Sequence, residues 1–329
     1  MELLLLIVSF AIILTGALLF TNAIEWMGHR LDLGQGAVGS ILAAVGTALP
    51  ETLIAIVALL GATKSEEVAI GAIVGAPFML ATIAMMLVGT SAFIYRHRRE
   101  QGVGLNAHAP TLERDILYFL VFFGGALLIG EFVPDSLHIL AAVVYVLGYA
   151  FYVKRTLSDS GAVQEEEDLD RLIMDRVATR PEPPFPLIIL QALIGLGAMV
   201  GGAHLFVEEL LKIAESLGAE PLVLALVLAP LATELPEKVN SFFWIREGKD
   251  SLALGNITGA MVFQSTLPVA IGLAFTSWDL SGYAALSIGL GVAGGLIALA
   301  TLHRVRRFGR LAVAGWGLLY LTFFLVVAL

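Results

Sequence analysis

The chain opens on "MELLLLIVSFAIILTGALLF", and uninterrupted apolar runs of that length recur to its last residues. About 20 apolar residues span a hydrocarbon slab roughly 30 Å thick when coiled into a helix rising about 1.5 Å per residue. Inside lipid each backbone N–H and C=O must find its partner within the protein, which leaves helices and closed barrels. Barrel strands would be short and alternating, and these runs are long and continuous, so the expected fold is all-α. A mean hydropathy of +0.89 with 14% charged residues places the 329-residue chain among integral membrane proteins. Glu2 stands where a signal peptide would carry a basic region, so the first run reads as a retained helix. The absence of cysteine excludes disulfides, thiolate metal sites and a cysteine nucleophile.

Ten candidate spans follow, at about 2–27, 35–62, 67–91, 113–131, 136–154, 187–214, 220–245, 251–276, 282–302 and 310–328. The polar, then proline-rich stretch 156–186 divides them into five (1–155) and five (187–329). Much of the formal charge of -9 sits in that linker or within the spans, so it says little about partners. Orientation comes from the basic loops. Arg96, Arg98 and Arg99 follow span three, Lys154 and Arg155 follow span five, and Arg304, Arg306, Arg307 and Arg310 follow span nine. Alternating spans put these on one side, which the positive-inside rule makes cytoplasmic; both termini are then expected outside a multi-pass protein of the cell membrane, with the linker inside.

The two halves repeat. Residues 16–51, "GALLFTNAIEWMGHRLDLGQGAVGSILAAVGTALPE", align without a gap to 202–237, "GAHLFVEELLKIAESLGAEPLVLALVLAPLATELPE". Phe20 matches Phe206, Thr47 matches Thr233, Pro50 matches Pro236 and Glu51 matches Glu237. Each hexapeptide, "GTALPE" or "ATELPE", is followed by a glycine-punctuated span, "GAIVGAPFML" (71–80) or "GNITGAMVFQ" (255–264). A unit of five spans is odd in number, so the second copy enters the membrane from the opposite face: an inverted-topology repeat. Proline within a helix removes one hydrogen bond and frees carbonyls at membrane depth. Those carbonyls, a threonine hydroxyl and a carboxylate are hard oxygen ligands suited to sodium or calcium. An ionised glutamate at that depth costs at least about 2.5 kcal/mol on insertion scales, so two at matched positions point to an ion path more strongly than to two structural kinks.

These residues resemble the cation/calcium exchanger superfamily, which includes the sodium/calcium exchangers and whose two repeats read roughly G-T-S-x-P-E and then G-N-x-x-G-S-N followed by an acidic or amide residue. The resemblance covers nearly the whole chain and is most specific at "GTALPE", "ATELPE" and "GNITG". It implies alternating-access antiport, Glu51 and Glu237 as central carboxylate ligands, and Thr47 and Thr233 as ligands beside them. Departures from the pattern are concentrated in the first copy, where Ala72, Ala76, Pro77 and Leu80 replace polar residues; the second has Ala260 but keeps or gains Glu234, Asn256, Thr258 and Gln264. Calcium takes six to eight oxygens, and Leu80 cannot supply the usual one, so the cargo need not be calcium. Glu234 stands at the family's serine position, either as a third carboxylate ligand with Asn256 and Gln264 or as the partner of Lys238 four residues on.

The expected function is a secondary-active cation antiporter with an ion site at the bilayer midplane. The alternatives are a monovalent-cation or cation/proton exchanger, and a degenerate homologue that keeps the fold as a scaffold or sensor. No nucleotide-binding loop, G-x-S-x-G or H-E-x-x-H occurs, so neither an ATP-driven pump nor an enzyme is expected. No cofactor and no nucleic acid are expected; the partners are the transported cations and the bilayer. Among lesser features, His204 reads as a packing residue and the acidic run 165–170 as a solvated linker. Gly197 with Gly201 and Gly291 with Gly295 read as close helix contacts, and Trp26, Trp244 and Trp278 as interfacial anchors.

Overall fold

The computed structural model describes residues 2–30, 43–61, 64–105, 109–159, 171–175, 182–280, 282–305 and 307–328. Among them regular structure is helical, with a single isolated bridge between Gly104 and Arg307 and no strand. The helices are Glu2–Arg30 (α1), Ala43–Leu60 (α2), Glu66–Met79 (α3), Met85–Ile94 (α4), Ala109–Phe132 (α5), His138–Asp159 (α6), Phe185–Leu217 (α7), Pro221–Thr233 (α8), Leu235–Arg246 (α9), Asp250–Gln264 (α10), Leu267–Phe275 (α11), Tyr283–Ala300 (α12) and Arg310–Ala328 (α13). A π turn, Leu80–Ala84, joins α3 to α4, so Glu66–Ile94 is one span.

Eight spans among the described residues are long and apolar enough to cross a membrane, and Ala48–Leu60 and Pro221–Leu231 are shorter apolar helices. Two of the ten expected spans therefore do not stand as single long helices. The expected span 35–62 begins in residues outside the described set. The expected span 220–245 is interrupted at Glu234, between α8 and α9, because Pro236 at the second position of α9 has no N–H to continue the ladder. A comparable interruption separates α10 from α11 at Ser265 and Thr266, just before Pro268.

Close backbone approach organises the interior. A Cβ at Gly71 would meet the carbonyl oxygen of Leu222, and one at Gly75 that of Leu226, so α3 lies almost in backbone contact with α8. Leu226 is also the residue whose carbonyl Pro230 leaves without its helical partner. The α3–α4 span is the centre of the molecule, 94% buried, whereas α13 at 11% is peripheral. The two longest helices, α1 and α7, pack along each other through Gly16 against Gly195 and Gly202 against Ile13. The expected pair Gly197 and Gly201 is thereby corrected: both face outward with nothing described against them, one helical face away from the true contact. Gly291 and Gly295 do make close contact, on Phe123 and Phe119.

Three connections are knotted together at one end of the bundle. The fully buried Arg99 guanidinium donates to both carboxylate oxygens of Asp250 at 2.8 Å and to the carbonyls of Ile245, Gly102 and Gly104. Phe308 N–H donates to Val103 O at 2.8 Å. The connections after α4, α9 and α12 thus share one face, as expected for the two arginine-bearing loops among them. At the other end the Glu66 carboxylate accepts from Ser277 N–H and its hydroxyl at 3.0 Å.

Part of the linker is docked rather than solvated. Residues 171–175 lie across α1 and α7, with Leu172 buried among Ala23, Trp26 and Ile188. Asn22 Oδ1 accepts from Ile173 N–H at 3.0 Å and Gln191 Oε1 from Met174 N–H at 2.9 Å, which supplies these two intramembrane amides with partners. The acidic run 165–170 lies outside the described residues. Two interfacial readings also change. Trp278 is fully buried against Gly272, its indole N–H donating to Ala126 O at 3.1 Å, and Trp26 is buried under the docked linker. His204 lies on an exposed face beside Gly61 rather than inside the packing.

Candidate cation site

Two helix interruptions and one proline place polar atoms within the slab. α8 and α10, of 13 and 15 residues, each run about 20 Å before they end, well short of a full crossing. In α2 the helix continues through Pro50, but the missing N–H leaves a carbonyl one turn back without its usual donor. Glu51 follows immediately and is only 3% exposed. One turn before it, Ala48 packs with Tyr149, Tyr152, Val262 and Phe263, so the first hexapeptide abuts the end of α10 that carries Gln264.

The second hexapeptide arrives at the same end of α10. Thr233 is buried and its hydroxyl donates to Ala229 O at 2.9 Å, which leaves the oxygen lone pairs outward. Glu234 occupies the α8–α9 junction and Lys238 Nζ lies 2.8 Å from its Oε2, with side chains 2% and 4% exposed. Gln264 faces the same carboxylate, and its own Oε1 has no hydrogen-bond partner among the described residues. An orphan acceptor beside a buried carboxylate is chemistry for a cation.

Of the seven residues expected in the site, the described structure brings Glu234 and Gln264 together, with Thr233 next to Glu234 in the chain, and puts Glu51 on the helix packed against α8 and α10. Asn256 is not with them. It lies eight residues, about 12 Å, back along α10, its amide 3.4 Å from Ser241 Oγ, and Ser241 is one turn from Glu237 on α9. The side chains of Thr47 and Glu237 lie outside the described residues. Leu80, at the family's amide position, is sealed in the hydrophobic core, as are Ala72 and Ala76. Among the described residues no three His, Cys, Asp or Glu side chains gather as a metal cluster.

One buried carboxylate was not expected. Asp115, near the start of α5, accepts from Thr258 Oγ1 at 3.0 Å and Tyr152 OH at 3.1 Å and pairs with Arg114 at 3.3 Å. It ties α5 and α6 to the "GNITG" turn of α10. The sequence signal was an acid within "TLERDILYFL", which looks like an ordinary span boundary.

The sodium/calcium exchanger protein family model matches residues 1–156 and 187–329, both halves and not the linker. The chain belongs to this family of membrane transporters. The membrane protein MJ0091 of Methanocaldococcus jannaschii is 26% identical over 256 residues, 78% of this chain and 76% of that one. The sodium/calcium exchanger MaX1 of Methanosarcina acetivorans is 24% identical over 300 residues, covering 84% of this chain and 83% of its own. The crystal structure of the H+/Ca2+ exchanger CAX superposes with a TM-score of 0.71 at 20% identity, over 100% of this chain and 82% of that one, a likeness of fold.

Proposed function

We propose that this exchanger-family chain is a secondary-active cation antiporter whose site is built from the two hexapeptides, with Glu51 and Glu237 as essential carboxylates. Thr47, Thr233 and Gln264 supply neutral oxygens, and Asn256, turned to Ser241 about 12 Å back along α10, stands outside that set. The observation that carries this is the convergence of both hexapeptides on the end of α10, where Gln264 keeps an unpartnered oxygen beside Glu234. Ten spans in two inverted repeats, 1–155 and 187–329 about a cytoplasmic linker 156–186, account for the packing. α3 packs on α8 and its counterpart α10 on α2; α2 packs on α3 as α9 does on α10; and α1 meets its own counterpart α7. Each pair has its equivalent under exchange of the halves, as a two-fold axis in the membrane plane requires.

The burial of Leu80 favours one further reading. With the first glycine span supplying no side-chain oxygen, the site lacks the ligand that the family's pattern places at Leu80, which favours a cation less demanding of ligands than calcium, such as sodium exchanged against another cation or protons. In proteoliposomes, tracer uptake of sodium or calcium should require an opposing gradient of a second cation, and the pair that drives it identifies the cargo. Uptake indifferent to every opposing gradient, or no uptake of any cation, would remove the antiport reading.

The orientation is tested separately. Because the chain lacks cysteine, Asp135→Cys in the exposed turn before α6 and Ser158→Cys at the exposed end of α6 can each be labelled alone. An impermeant thiol reagent on intact cells is expected to modify Asp135→Cys and spare Ser158→Cys; the opposite pattern places both termini inside.

A further inference from the structure

The ion pair at the α8–α9 junction is badly placed for a structural one. Lys238 falls at the fourth residue of α9, where the exposed N–H groups and the helix dipole disfavour a cation. Both groups are withdrawn from water, and a buried pair of this kind rarely contributes net stability over an apolar replacement. What the pair does possess is position. It lies at the α8–α9 junction, beside the orphan oxygen of Gln264, at the residue where the family's pattern has a neutral hydroxyl.

We propose that the Lys238 ammonium is a resident cation of the site, occupying at Glu234 the place a transported cation would take and limiting the cargo to two positive charges at a time. The inference rests on Glu51 and Glu237 being the transport carboxylates. Three carboxylates, Glu51, Glu234 and Glu237, and one ammonium leave two negative charges for cargo. One divalent cation or two monovalent cations balance them. A free cation reaches Glu234 only by displacing a group tethered four residues away, which competes without ever leaving. Lys238 is thus a specificity-determining residue that acts through charge count rather than by touching the cargo.

The test is a charge series read by equilibrium binding of radiolabelled sodium to purified protein in detergent, at saturation and per folded chain by size exclusion. Sodium is the probe because it reports charge one unit at a time. Wild type should bind two. Lys238→Met should bind three, Glu234→Gln one, and the Glu234→Gln/Lys238→Met pair two again. Should Lys238→Met fail to fold because it strands a buried carboxylate, Glu234→Gln and the double variant still distinguish the cases. Equal capacity in wild type, Glu234→Gln and the double variant would make the pair structural and overturn the inference while leaving the transport reading intact. Absence of binding by wild type, or capacity unchanged in Glu51→Gln, would overturn both.

Discussion

Glu51→Gln and Glu237→Gln are each expected to lower cation exchange by about a thousandfold while leaving expression and monodispersity close to wild type. The substitution keeps the size and one oxygen of the side chain and removes only the charge. A unit charge about 4 Å from a cation at an effective dielectric of about 20 contributes about 4 kcal/mol, or roughly three decades of affinity. Glu51 is almost completely enclosed, so water cannot replace what the carboxylate supplied. Initial rates of tracer exchange in proteoliposomes over a wide range of cation concentration give the comparison. A variant that exchanges at near-normal rates takes its residue out of the site.

The second large effect is on stability, away from the site. The Arg99 and Asp250 side chains are both fully enclosed, and Arg99→Met removes the cation beside the carboxylate and withdraws the donors of three carbonyls. Removing one partner of a buried ion pair costs about 3–5 kcal/mol. The thermal midpoint of the detergent-purified protein should fall by several degrees, and adding Asp250→Asn should recover part of the loss by removing the buried negative charge that Arg99 balanced. The knot ties the connection after α4 to the start of α10 and so holds the Gln264 helix from its far end. An unchanged midpoint would show that the pair contributes nothing. It also means that Arg99 adds no free charge to its loop, where Arg96 and Arg98 remain as the orientation signal.

The parts legible in the sequence are those written twice or set by composition. Apolar runs of membrane length dictate helices, and the hexapeptide stands out because Pro50 with Glu51 and Pro236 with Glu237 repeat one improbable combination. Relations across long sequence separations were not legible. Gly195 and Gly202, not Gly197 and Gly201, face α1, since a stripe of small residues does not reveal which face a partner takes. Nothing in the sequence marks Asn22 and Gln191 as partners of each other and of residues 171–175. Asp115 resembled a boundary acid because Thr258, its partner from 143 positions away, carries no mark of it. At the site the alternatives for Glu234 were both visible in the sequence, but the choice of Lys238 depends on the turn that Pro236 imposes.

The central claim is that Glu51 and Glu237 face one cation from opposite halves of the chain, and a thiol bridge reads it most directly. In a protein without native cysteine, Glu51→Cys with Glu237→Cys supplies two soft ligands to cadmium and no others of their kind. Cadmium at low micromolar concentration should protect both thiols of the double variant together from maleimide, and protect neither single variant at that concentration. If the thiols of the double variant react independently, with the cadmium dependence of the single variants, the two carboxylates do not share a site.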